Sequence, residues 1–171
     1  MAAKQQPTAY TPDAIIAELR DDLTPWAKEK KGTVSVATDP YNFLELLAQS
    51  PVGFQVVLHW DGEALSGDEP QSASIAVQKI SAGVTFNTGL TVNPSEALVK
   101  ASPIRPALLK LLTQVRDRIR SYNFPADTTG QYLLYKGADP VVLPEGLPLA
   151  GFRLNFELTI GLPEIDYRNQ V

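Results

Sequence analysis

From Phe152 to Ile160 the side chains alternate without a break. Phe152, Leu154, Phe156, Leu158 and Ile160 are interleaved with Arg153, Asn155, Glu157 and Thr159. A period of two lays the apolar set on one face of a β-strand and the polar set on the other. One strand cannot satisfy its own backbone or cover its own apolar face, so the chain is committed to a sheet with another layer packed on it. Further strands are expected where the same period recurs. Phe54, Val56, Leu58 and Trp60 alternate with Gln55, Val57 and His59. The segment from Ser72 to Ser81 alternates around Ile75 and Val77, and Val84, Phe86, Thr88 and Leu90 form another run. Ser81-Ala82-Gly83 reads as a hairpin break between those two. Shorter runs lie at Thr33–Ala37, Tyr132–Tyr135 and Val141–Leu143.

Helical signals fill the intervals. Thr11-Pro12-Asp13 supplies an N-cap hydroxyl, a proline at the first helical position and an acid at the positive end of the dipole. Ile15, Ile16, Leu19 and Leu23 then share a side opposite Glu18, Asp21 and Asp22, and Pro25 is expected to stop the helix. Asp39-Pro40 opens a second, short helix with Tyr41, Leu44 and Leu47 on its buried side, ending near Ser50-Pro51. The strongest helix begins between Ser102 and Pro106. Leu108, Leu112, Val115 and Ile119 form its stripe, Leu109 and Leu111 widen it, and Lys110, Arg116, Asp117, Arg118 and Arg120 face away.

The order is helix, strand, helix, three strands, long helix, then two or three strands. Short links between neighbouring strands predict an α+β fold: a mainly antiparallel sheet with two to three helices on one face. At 171 residues one core is supportable and two are not. Residues 1–10 read as a flexible lead-in, 11–162 as the single domain and 163–171 as a polar C-terminal tail. The fourteen prolines fall mainly at element boundaries, as punctuation of one domain.

No chemical constellation emerges. With no cysteine, thiolate nucleophiles, disulfides and Cys-ligated zinc are excluded. The single histidine, His59, has no nucleophile at a recognisable motif around it, and reads as a structural or interface residue. No phosphate-cradling glycine motif occurs. The connector 61–71 (DGEALSGDEPQ) reads as a projecting acidic loop whose Asp61, Glu63, Asp68 and Glu69 lack the spacing of a calcium loop. A net charge of −4 argues against a broad basic field for nucleic acid. The basic residues of the long helix, Arg116, Arg118 and Arg120 with Arg105 and Lys110, read as a solvated face, with docking on an acidic protein surface and nucleic-acid contact as the alternatives. Trp26 suits either a core anchor or an interface aromatic. No apolar run exceeds five residues, against about 20 for a membrane span, and the first ten residues have no signal-peptide core. The expectation is a non-enzymatic protein with no catalytic, cofactor-binding or metal-binding residues, and one that works by shape.

The sequence of elements resembles the tail terminator, or tail completion, proteins of long-tailed bacteriophages, including the tail-assembly proteins of transposable phages. The resemblance is carried by DAIIAELRDDL, GFQVVLHWDGEAL with its polar loop, SIAVQKISAGVTF, ALLKLLTQVRDRIRSY, LLYKG and AGFRLNFELTI, and spans about residues 11–162. The connector NTGLTVNPSEALVKASP is longer than the family needs. The resemblance implies a structural virion protein without cofactor. Such a protein assembles in the host cytoplasm as a homohexameric ring at the head-proximal end of the tail tube, stops tube polymerisation and presents the head–neck attachment surface. Its partners would be copies of itself, the tail-tube protein and a head–neck connector, with no membrane, and with DNA contact through the ring lumen left open. The acidic loop and the basic helix would supply opposite charges for contacts between neighbours. The alternatives are another head–tail connector or neck-ring protein, or a small α+β ligand-binding domain with a polar pocket.

Overall fold

The strand ending the described chain, β5 (Leu149–Gly161), organises the sheet. A computed structural model describes residues 11–49, 53–65, 75–87, 96–101, 106–124, 133–145 and 149–161. β5 pairs antiparallel with β3 (Ile75–Asn87) on one side and with β4 (Leu134–Pro140) on the other. β3 pairs antiparallel with β2 (Phe54–Leu65), and β2 pairs parallel with the short β1 (Gly32–Val36). The five-stranded order is β1-β2-β3-β5-β4. The fold is α+β, as the alternating runs predict.

Two helices, α1 (Pro12–Glu29) and α3 (Leu108–Ser121), cover one face. Ile15, Leu19, Leu23, Leu108, Leu111 and Val115 are fully buried there against Phe54, Leu58, Val84 and Leu158. Each such side chain contributes about 1.5–3 kcal/mol by leaving water. α2 (Pro40–Leu47) lies on the reverse face, where Phe43 and Leu47 pack with Ala37 and Val57. Its buried side is therefore Phe43 and Leu47. Tyr41 is 87% and Leu44 48% exposed, contrary to the stripe expected from sequence. The segment YNFLELL has apolar residues on both sides of the helix, so periodicity alone cannot choose between them.

Three further expectations give way. Pro25 does not end α1, which continues to Glu29. Its ring removes one backbone donor, but Ala27 beyond it is fully buried and Trp26 meets Phe54 edge-on at 5.9 Å. Packing of that last turn outweighs the lost hydrogen bond. Thr11 makes no side-chain cap bond to the helix backbone, although proline takes the first helical position as expected.

The second correction is larger. Ser81-Ala82-Gly83 is no hairpin, because β3 runs straight through it, paired with β2 and β5 on both sides. Gly83 is small because α2 crosses the reverse face there, whereas Ala82 points to the opposite face and packs in the core under α1 and α3. A Cβ at Gly83 would lie 2.7 Å from Leu47 Cδ2 and 2.8 Å from Phe43 Cζ. Third, Val141–Leu143 is not a strand, although the Val141 amide donates to the Gly151 carbonyl at 3.1 Å. β4 instead continues past Tyr135 to Pro140, through a bulge at which Gly137 has φ +138°. The lead-in, the 66–71 part of the acidic connector, most of 91–105 and the C-terminal tail lie outside the described residues.

Candidate interaction surfaces

The residues singled out in 61–69 are only partly loop. Asp61 and Glu63 belong to β2, which bulges between Trp60 and Gly62; Asp68 and Glu69 lie outside the described residues. The bulge inserts one residue and shifts the pleat. Before it, Trp60 is on the helix-covered face and His59 on the reverse. After it, Glu63 is on the helix-covered face, where it accepts a hydrogen bond from Gln78 Nε2. Gln78 is fully buried, and its Oε1 accepts from Trp60 Nε1 at 2.8 Å. A buried amide must be paired, and the two strand residues flanking the bulge do this.

Asp61 is the hub of the reverse face. One carboxylate oxygen, Oδ1, lies 2.6 Å from His59 Nδ1 and accepts from Ser81 Oγ at 3.2 Å and from Arg153 at 2.5 Å. The Arg153 guanidinium sits 5.3 Å from the Phe43 ring centroid, and the His59 ring 5.6 Å from it. The cluster therefore ties β2, β3 and β5 together and seats α2 on the sheet. His59 is 6% exposed, which fits the structural one of the two roles, structural or interface, that the sequence leaves open. Its hydrogen-bond partner is Asp61, so the hydroxyl of Ser81 is directed to the carboxylate and not to the imidazole. At the start of α2, Asp39 accepts from the amides of Tyr41 and Asn42 at 2.8 and 2.9 Å. These backbone bonds, that to Asn42 first, hold its carboxyl below the usual range.

The basic residues of α3 are not a uniformly solvated face. Arg118 forks onto Asp22 of α1, with Nε to Oδ2 at 2.9 Å and a terminal nitrogen to Oδ1 at 3.0 Å. Tyr122 donates to Glu18 Oε2 at 2.8 Å. The acids of α1 expected to face solvent thus clasp the two helices together. Arg116 binds Asp117 at 2.8 Å and Arg120 reaches the same carboxylate at 4.0 Å, so two cations share one acid. Arg116 also lies 5.8 Å over the Tyr135 ring.

Burial, and then the bond to Glu18, push the Tyr122 phenol from its usual 10.0 up to about 12. A raised pKa favours the neutral form in the fold. The resulting stability is complete below pH 10 and is lost as pH rises from about 10 to 12. In a phenolate absorbance titration, one of the six tyrosines is expected to ionise last, together with loss of near-ultraviolet dichroism. Tyr122→Phe is expected to remove that late step.

Of the exposed large apolar side chains among the described residues, Tyr41 and Leu44 lie on α2, Leu109 on α3 and Val99 next to Leu98, while the remaining four lie at the two borders of the sheet. On the β1 side, Val36 is 37% and Trp60 41% exposed. They line a shallow groove of about 300 Å³ with Pro12, Asp13 and Ile16. On the β4 side, Leu134 is 61% exposed and borders a cleft of about 480 Å³ with Leu133, Tyr135 and Arg120. Val142, just past β4, is 90% exposed. Five strands about 4.8 Å apart put roughly 19 Å between the outer strands. The patches are therefore separate and different. The sequence carries no sign of them, since Val36, Trp60 and Leu134 fit ordinary strand periodicity.

No family model matches the chain, and no curated protein is similar to it. No helix among the described residues is long and apolar enough to cross a membrane.

Proposed function

We propose that the chain is a structural ring subunit of the tail-terminator kind. Six copies would close on the head-proximal end of a phage tail tube, stop its polymerisation and offer the surface that joins the head–neck complex. The observation that carries this reading is the pair of unlike apolar patches on opposite borders of one sheet. A cyclic ring is built by a heterologous contact, in which one patch of each copy meets a different patch of the next. A two-fold dimer needs only one self-complementary patch. The α+β fold supports the resemblance seen in the sequence, although fold alone never fixes function.

One part of the sequence reading changes within this proposal. Asp61, Glu63 and Arg118 have partners inside the subunit, so contact between copies falls to the apolar borders and to the charges beside them. The direct test is to add the purified chain to polymerising tail-tube protein and measure tube lengths by electron microscopy. Tubes capped at one end and limited in length support the reading. Tubes that grow unaltered, with no chain bound at their ends, overturn it.

A further inference from the structure

We infer that neighbouring copies are joined by an arginine seated in a groove: Arg120 of one copy lies between Trp60 and Asp13 of the next. This rests on the ring reading above and names its contact. The groove has the chemistry of a guanidinium receptor. Exposed Trp60 forms one wall, and its rim carries Asp13, which is exposed and has no ion-pair partner among the described residues. The indole is held in place from within, because its Nε1 donates to the buried Gln78 and Gln78 in turn donates to Glu63. It therefore offers a neighbour its ring and no donor, and Glu63 puts a second carboxylate on the same face. Arg20, the cation already in the groove, is taken up by Asp21 at 2.9 Å. An aromatic ring beside an unpaired carboxylate suits arginine, whose planar guanidinium stacks on the one and forks onto the other.

The two long helices aim opposite charges at opposite borders. Asp22 and Glu18 of α1 face α3, where they bind Arg118 and Tyr122. Asp13 stands nine positions before Asp22, and steps of about 100° put it half a turn out of phase. It therefore points away from α3, over the β1 border. Arg118 of α3 faces α1. Arg116 and Arg120, two positions to either side, are about 200° round from it and point over the β4 border. There Arg116 lies 5.8 Å over the Tyr135 ring and Arg120 lines the cleft. Asp117 is the one carboxylate they share among the described residues, at 2.8 Å from Arg116 and 4.0 Å from Arg120. Arg120 is thus the more loosely held cation of the two.

Groove and arginine are also level. Trp60 stands opposite Ile80, Ile80 opposite Phe156 and Phe156 opposite Tyr135, in one row across the helix-covered face. Rotation about an axis parallel to the strands keeps that row level and the helices of every copy on the same side. The Arg120 end of the row in one copy then comes beside the Trp60 end in the next. Side chains alone make this contact, and no backbone pairing between copies is required.

Charge reversal tests the pair, since both positions are exposed. Dichroism and urea midpoints establish that each variant folds. Light scattering of the full chain reads assembly, with tail-tube protein added where the chain alone stays monomeric. Arg120→Glu and Asp13→Arg are each expected to raise the concentration for half-assembly by about tenfold or more, because each sets like charges face to face. Both reversals in one chain should restore the ring. So should an equimolar mixture of the two single variants, in which copies alternate and every contact again pairs a carboxylate with a cation. Wild-type assembly that persists under both reversals, or a loss that neither the double variant nor the mixture repairs, overturns this contact and leaves the ring reading standing. A wild-type chain that is monomeric at every concentration, with tube ends left bare, overturns both.

Discussion

Gly83→Ala is expected to lower stability by about 2 kcal/mol, and Gly83→Val by more, in urea unfolding at neutral pH. Elsewhere in a strand, replacing glycine stabilises by reducing the freedom of the unfolded chain. Here the added carbon would sit within 2.9 Å of three side-chain atoms of Phe43 and Leu47. Those residues anchor α2 to the reverse face, so the clash loosens α2 and spares the α1–α3 core. Shortening the opposing side chain should relieve it. Gly83→Ala combined with Leu47→Ala is expected to cost clearly less than the sum of the two single changes. Strict additivity would mean that Leu47 does not sit over Gly83.

The other large effect is at the hub of the reverse face. Asp61→Ala is expected to cost about 2 kcal/mol, because it strands the buried His59, the Ser81 hydroxyl and Arg153 at once. The value is kept below that of a fully buried pair because the Arg153 side chain is 39% exposed. Asp61→Asn, which keeps an acceptor oxygen, should lose less. Asp21→Ala is the matched control, since that carboxylate is 69% exposed and, among the described residues, bound only to its neighbour Arg20. Equal effects at positions 21 and 61 would contradict the role given to Asp61.

These two sites mark where the sequence stops being legible. The alternation of β5, the stripe of α3 and the proline-led starts of α1 and α2 are local signals, and the elements they predict are present. Even so, Leu109, expected to widen the α3 stripe, is 47% exposed, and Thr11 makes no side-chain cap bond. Gly83 carries a local signal too, but its cause is distant. Small residues suit a turn as well as a strand crossed closely by a helix, and only the position of α2 decides. Asp61-Gly62 likewise has the composition of a turn. The chain stays extended there because Gly62, at φ +117°, accommodates a bulge and because Asp61 finds partners 20 and 92 residues away. Pro25 is overridden by contacts to Phe54, 28 positions beyond Trp26. The bidentate Arg118–Asp22 pair spans 96 residues, and each partner alone looks like an ordinary solvated charge.

The apolar borders were hidden for a different reason. Periodicity reports which side chains share a face of a strand, not whether the sheet continues beyond it. Trp60 and Val36 are in phase with the core, yet they stay open because β1 ends opposite Leu58. Exposure of this kind belongs to sheet order, and no local window of sequence contains it.

The central claim is that this subunit closes on itself through unlike surfaces. Size-exclusion chromatography coupled to light scattering, with and without tail-tube protein, tests it most directly. The expected result is a species of six times the 18.6 kDa of one chain, formed either alone or on the end of the tube. A strict monomer at every concentration, indifferent to tube protein, would contradict it.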